Sequence, residues 1–337
     1  MKILLTGPSG TIGNEVLKQL CRNQEHQITV FDKKTSTSVR KLKPYKNKVS
    51  IVYGDIRNLK DIEKVTKSQD VVIHLAAIIP PLSVKKPKMA TEVNVNGTQN
   101  LISSLEQNSQ KAFLLYSSSV SIYGDRIKNP RITTEDEIRP SEGDNYGNTK
   151  IKAEEIIRQS KLDWTIFRLS AIMGANNHKV SKIMFHMPLC TNMEITTPED
   201  TATAFVNAIH KKGLLNKQIF NLGGGEQCLI TYNEFLSRSF QLFGLGKADF
   251  PEHCFAEKNF HCGFFADGDK LEHIVNFRND NMETYFEKVR QAVPPIQKRF
   301  ASIFHKPVKR LLTMQSEPLK AYKKKDTAQM HHFFNHY

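Results

Sequence analysis

The chain has 337 residues, 39% of them hydrophobic and 24% charged, enough for the cores of about two domains and incompatible with wholesale disorder. No apolar run reaches the length of roughly eighteen residues that a membrane-spanning helix needs, and the opening MKILLTG is too short in its apolar part for a secretory leader. The net charge is +14, and residues 296–337, with nine basic and two acidic side chains, hold half of it, so nucleic-acid or membrane contact is a question about that tail alone.

Short apolar runs alternate with helix-period segments from the start. Residues 2–6 run apolar and stop at Gly7, after which Ile12, Val16, Leu17 and Leu20 recur at helical spacing. A second run ends at Asp32. VSIVYGD follows at 49–55, a helical stretch near 58–67, DVVIHLAA at 70–77, an amphipathic stretch near 88–107 and KAFLLYSSS at 111–119. A helix after Tyr146 and a strand at 162–169 continue the rhythm. Such alternation reads as βαβ units on a parallel sheet buried on both faces. After residue 170 the rhythm breaks. Segment 171–196 reads as loop, 201–209 as helix, 217–223 as one more strand, and the region beyond 230 as mixed and polar with a helix near 281–291. Pro294 and Pro295 set off the basic tail. The expected architecture is α/β: a Rossmann-type doubly wound parallel sheet in 1–170, rejoined by 197–228, with a smaller substrate domain from 171–196 and 229–295. The five cysteines, Cys21, Cys190, Cys228, Cys254 and Cys262, are scattered without metal-ligand spacing, and a reduced, cytoplasmic protein without a metal site is expected.

GPSGTIG sets Gly7, Gly10 and Gly13 between the first strand and the first helix, with Thr11 and Ile12 opening that helix. Glycines there permit a tight turn, close approach of a pyrophosphate, and close packing of helix on strand, while the helix N-terminus supplies amide donors. Asp32, nineteen residues after Gly13, ends the second strand. A carboxylate at that place accepts hydrogen bonds from ribose hydroxyls and repels a 2′-phosphate, which favours NAD over NADP. Tyr146 and Lys150 share one helix face at i, i+4, where a cation beside a phenol makes it a usable base. YSSSVSIYG (116–124) begins where a strand should end, at the edge of a parallel sheet where ligands bind.

Taken in order, GxxGxxG, the acidic residue, GDI (54–56), HLAA (74–77), NVNGT (94–98), YSSS and YxxxK strongly resemble the extended short-chain dehydrogenase/reductase superfamily, in its NAD-dependent epimerase/dehydratase branch. The resemblance covers residues 1 to about 225, and FNLGGG (220–225) is similar to the strand that returns late in these folds. It implies that Ser119 is the catalytic serine, Tyr146 the acid/base tyrosine and Lys150 its partner on the nicotinamide ribose. It also implies that Asp55 and Ile56 flank the adenine, that Leu75, Ala76 and Ala77 line the cofactor channel beside Asn94, and that His74 packs near the cofactor rather than acting as a base. The cofactor implied is NAD, the substrate a small molecule, and the assembly a homodimer through helices near 88–107 and 147–159, with Leu101, Leu105, Ile151 and Ile156 as apolar positions.

The pattern departs in places. Val120 and Ser121 stand where the dehydratases carry an Asp-Glu pair, which disfavours elimination of water. Ala171 replaces the asparagine usual in epimerases, and no arginine-containing RxGD segment occurs near 258–269, which puts a UDP-sugar in doubt. IIPP (78–81) and Phe264–Phe265 suit a less polar substrate. The expected function is hydride transfer at a secondary alcohol, as dehydrogenase/reductase or epimerase. The alternative is a non-catalytic NAD-binding regulator or scaffold that uses its basic tail. In that tail, Ile296, Phe300, Ile303 and Phe304 recur at helical spacing among cations, a pattern for an anionic membrane surface or for a terminal helix packed on the substrate domain. His331, His332 and His336 fall in a terminus expected to be disordered. No nucleic-acid partner is expected.

Overall fold

A computed structural model describes residues 1–23, 25–175 and 182–336. Among these described residues twelve strands follow in chain order. They are β1 (Lys2–Thr6), β2 (Gln27–Asp32), β3 (Ser50–Tyr53), β4 (Val71–His74), β5 (Phe113–Ser119), β6 (Arg131–Ile132), β7 (Asp163–Leu169), β8 (Ala171–Ile172), β9 (Asn192–Thr196), β10 (Gln218–Leu222), β11 (Leu229–Thr231) and β12 (Phe264–Phe265). Seven of them form one parallel sheet in the order β10-β7-β5-β4-β1-β2-β3, as the alternation of apolar runs and helices predicts.

The sheet is buried on both faces because successive side chains of a strand point to opposite sides. Ile3, Leu5, Val71, Ile73, Phe113, Leu115 and Phe167 enter one apolar cluster, and their neighbours Leu4, Val72, Leu114, Trp164 and Ile166 enter the other. Helix Thr11–Asn23 lays Val16, Leu17, Leu20 and Cys21 on the first face, beside helix Pro198–Ala208 with Ala204, Phe205 and Ala208. The latter helix starts on Thr197, whose Oγ1 accepts the Asp200 N–H at 3.2 Å, followed by Pro198 and two acidic residues, all suited to a helix N-terminus.

Helices Gly97–Asn108 and Asn145–Gln159 cover the second face with Leu101, Leu105, Ala153 and Ile157. Leu101 and Leu105, offered above for a dimer interface, are fully buried against the sheet. Only the half-buried Ile151 and Ile156 of that set keep any surface.

A second core gathers β8, β9 and β11 with helices Tyr232–Leu242 and Met282–Ala292, where the Phe235 ring meets those of Tyr285 and Phe286 at 6.1 and 5.9 Å. Segment 171–196 is therefore not simply loop. It contains β8 and β9, although its residues 176–181 lie outside the described ones. The terminus also departs from expectation. Residues 295–333 form four short helices, and Phe333 and Phe334, next to the histidines expected above to lie in a disordered end, are buried beside Ala256 and Met330. Phe260 and His261 lead into β12, which pairs with β6 and ties the second core to the loop after β5.

Candidate active site

The strand order reverses direction between β1 and β4, and in open parallel sheets ligands bind in the crevice at such a point. The turn after β1 sits there. Gly7 has φ +73°, and a Cβ on it would lie 2.8 Å from the Ala76 backbone; on Gly13 a Cβ would lie 2.1 Å from Gly7 O. The chain's own packing demands those two glycines. Gly10 is different, since a Cβ there would meet only Gly7 O, at 3.3 Å. It leaves a cradle that no side chain among the described residues fills. The first bond of helix Thr11–Asn23 runs from Asn14 N–H to Gly10 O, so the amides of Thr11, Ile12 and Gly13 have no carbonyl one turn back within that helix. A phosphate fits such a cradle.

Asp32 closes this turn from β2. Its Oδ2 accepts the Ser9 N–H at 2.9 Å and its Oδ1 the Lys33 N–H at 2.7 Å, while Lys41 Nζ donates to Ser9 O at 2.8 Å. Asp55 is engaged elsewhere: Arg57 bonds it through Nε at 3.0 Å and Nη2 at 2.7 Å and holds its carboxyl down to about 2. Its backbone N–H donates to Asp61. Ile56 is buried under Gly97, where a Cβ would come within 2.7 Å of its side chain.

Leu75, Ala76 and Ala77 continue β4 into the crevice as half-buried residues, and Ala76 N–H donates to Thr6 Oγ1 at 3.3 Å. His74 lies 2.7 Å from Thr6 Oγ1 through Nδ1 and 3.0 Å from Thr98 Oγ1 through Nε2, and burial pulls its pKa down to about 3. A neutral imidazole with both nitrogens engaged is a brace, not a base. Asn94 is a brace too. It lies in a π-helical turn, Glu92–Asn96, accepts Ile78 N–H at 2.7 Å, and donates to Ile78 O and Thr149 Oγ1, each at 3.0 Å. It thus clamps the segment after β4 to helix Asn145–Gln159.

That helix carries Tyr146 and Lys150, and β5 ends in Ser119 beside them. Burial pushes the Tyr146 phenol's pKa up, and the neighbouring Ser119 hydroxyl, which accepts Ser121 N–H at 3.2 Å, opposes this. Lys150 Nζ is buried, donates to Ser117 O at 2.7 Å and lies 5.9 Å from the Tyr146 ring centre and 3.3 Å from Tyr116 Oη. Burial lowers the ammonium pKa to about 7, partly offset by Glu154. Ser118 Oγ is buried with no partner among the described residues. The three predicted residues are therefore brought together at the carboxyl end of β5.

Sequence reasoning missed several supports of this group. Asp144 caps the helix through Gly147 N–H at 2.9 Å and faces His261 Nδ1 at 3.1 Å. Partial burial raises the Asp144 pKa, yet the neighbouring His261 and the Gly147 N–H hold it below the usual range. An aspartate just ahead of the helix was a readable cap signal; nothing local marks His261. Behind the site, Arg168 forms a buried fork on Glu154 at 3.1 and 2.8 Å and donates to Tyr123 Oη at 2.7 Å. Tyr123 in turn donates to Asn221, so β7, β10 and the loop after β5 share one network.

The sequence pattern of the NAD dependent epimerase/dehydratase family matches residues 3–223. A 3 beta-hydroxysteroid dehydrogenase type 7 from Mus musculus is 28% identical over 162 residues, 47% of this chain and 44% of that protein. A UDP-glucose 4-epimerase from Pisum sativum is 29% identical over 195 residues, 54% of this chain and 55% of that protein. The chain thus spans about half the length of these relatives. Among solved structures, a short-chain dehydrogenase/reductase superfamily protein from Agrobacterium tumefaciens with bound NAD superposes with TM-score 0.67 at 18% identity, covering 90% of this chain and 99% of that one. A UDP-glucuronic acid 4-epimerase from Bacillus cereus, in complex with UDP-glucuronic acid and NAD, gives TM-score 0.71 at 20% identity over 86% and 99%. At such identities these likenesses establish the fold.

Proposed function

The chain belongs to the NAD-dependent epimerase/dehydratase family, and we propose that it binds NAD and performs hydride transfer at a secondary alcohol of a small molecule. The observation that carries this reading is the buried Lys150, anchored on Ser117 O at 2.7 Å and 5.9 Å from the Tyr146 ring centre, with Ser119 ending the same strand at the sheet edge that holds the glycine turn. The cradle at Gly10 and the amides of Thr11, Ile12 and Gly13 would hold the NAD diphosphate, with Asp32 at the adenosine ribose and Ala76 along the channel. When bound, NAD supplies the hydride acceptor.

The protein's own residues handle the proton. Tyr146 Oη takes it from the substrate hydroxyl, and Ser119 Oγ donates to the substrate oxygen as charge develops there. Lys150 Nζ, anchored on Ser117 O, in its protonated form sets a positive charge near the phenol and favours its ionised form. Val120 and Ser121 lack the carboxylates that elimination of water would use. Ile79, Leu82 and Val84, all exposed after β4, support a less polar substrate than a nucleotide sugar. Relatives that include a hydroxysteroid dehydrogenase agree with an alcohol as the reacting group.

Release and mass analysis of whatever cofactor survives purification and dialysis tests the reading. Tightly retained NAD assigns an epimerase, which regenerates its cofactor in each cycle. An empty protein that takes up NAD in calorimetric titration assigns a dehydrogenase or reductase. A protein that neither retains nor binds NAD contradicts the proposal.

A further inference from the structure

Helices Pro295–Ile303 and His305–Thr313 each have two faces of different fate. Ala301, Val308 and Leu312 pack inward on the second core. On the remaining surface Ile296 is 84% exposed, Phe300 64%, Ile303 66%, Leu311 60% and Met314 62%, and Phe304 stacks on Phe300 with ring centres 4.5 Å apart. Folding has therefore docked this unit and still left six large apolar side chains in water on two consecutive helices and their caps. Monomeric proteins scatter exposed apolar residues singly; their concentration within residues 296–314 marks a contact surface.

Charge says which contact. From residue 291 to residue 316 there is no carboxylate, while Lys298, Arg299, Lys306, Lys309 and Arg310 are cationic. Lys309 pairs with Asp249; the other four have no carboxylate partner among the described residues. We propose that this face docks on an anionic lipid surface, with the apolar side chains in the boundary between headgroups and acyl chains and the cations on lipid phosphates. A second copy of the chain fits poorly, because a two-fold contact would set these cations against themselves. A nucleic acid would answer the cations and leave Ile296, Ile303, Leu311 and Met314 uncovered. No helix among the described residues is long and apolar enough to cross a membrane, so the contact is one of lying on the surface.

Co-sedimentation of the full chain with phosphatidylcholine vesicles, with and without phosphatidylglycerol, tests this. The protein should pellet with the anionic vesicles and remain in solution with neutral ones, and added salt should release it. Phe300→Ser with Ile303→Ser, and separately Lys298→Glu with Arg310→Glu, should each weaken partitioning by roughly tenfold or more. All four sites are exposed, so the melting temperature should hold. Three results would overturn the proposal. These are wild-type protein that stays in solution with both vesicles, a charge-reversed variant that binds like wild type, and a wild-type dimer in light scattering that Phe300→Ser with Ile303→Ser dissociates.

Discussion

Asp144 Oδ2 stands 3.1 Å from His261 Nδ1, joining the start of the helix that bears Tyr146 and Lys150 to the segment that leads into β12. The carboxylate does two things at once, since its Oδ1 also caps that helix at Gly147. Asp144→Asn preserves an oxygen for the cap and should unfold within about 0.5 kcal/mol of wild type, whereas Asp144→Ala should lose about 1 kcal/mol. Urea unfolding of the two variants separates the cap from the charge. Equal losses would mean that the link to His261, not the cap, holds the helix start.

Lys150 makes stability depend on pH with a definite sign. Its pKa is about 7 in the folded protein and would be ~10.4 in the unfolded chain. Between those values the unfolded chain binds more protons, so the lysine's contribution to stability rises with pH across this window, and its cost is fully present below it. Lys150→Met should flatten that rise. Unfolding free energies of both proteins at about pH 7 and about pH 9 measure it, and parallel slopes would show that the buried amine stays protonated throughout.

Glu154 and Arg168 are both almost wholly buried, and each satisfies the other. Glu154→Gln removes the charge and leaves a guanidinium uncompensated, which should cost roughly 3–5 kcal/mol. Glu154→Leu with Arg168→Met should recover much of that, because the double change buries no charge. A double variant as unstable as the single one would place the stability in Arg168's bonds to Tyr123 and Thr134 instead.

Asp32 carries the cofactor preference. NAD should bind at least about tenfold tighter than NADP, ~1.4 kcal/mol, and Asp32→Ala should narrow the gap. Calorimetric titration with both cofactors decides it. Equal wild-type affinities would mean that Lys33 and Lys41 answer the 2′-phosphate and Asp32 serves only to hold Ser9.

Much of the sheet was legible because it is buried on both faces. Strands such as Val71–His74 then appear as unbroken apolar runs, and helix Thr11–Asn23 shows its period plainly. β9 was not legible for the opposite reason. Its centre is Glu194, a buried carboxylate whose oxygens accept Gly225 N–H at 2.7 Å and Phe265 N–H at 2.6 Å. A charged residue that is satisfied only by distant backbone breaks the apolar pattern of the strand it stabilises. The terminal helices were obscured likewise, since Phe333 and Phe334 bury against Ala256, a contact that local sequence cannot show. At the site, spacing gave Tyr146 and Lys150 and the family resemblance gave Ser119, but neither gave that Lys150 anchors on a β5 carbonyl or that Asn94 clamps the neighbouring segment.

The account rests most on the Tyr146 hydroxyl. The direct test is the rate of NAD reduction, followed by NADH absorbance over a panel of apolar and nucleotide-sugar secondary alcohols, for wild type and Tyr146→Phe. Phenylalanine keeps the ring, so NAD affinity by titration should be unchanged, and the rate should fall by roughly 10² to 10⁴. A Tyr146→Phe protein that binds NAD normally and turns over at the wild-type rate would contradict the claim that this phenol moves the substrate proton.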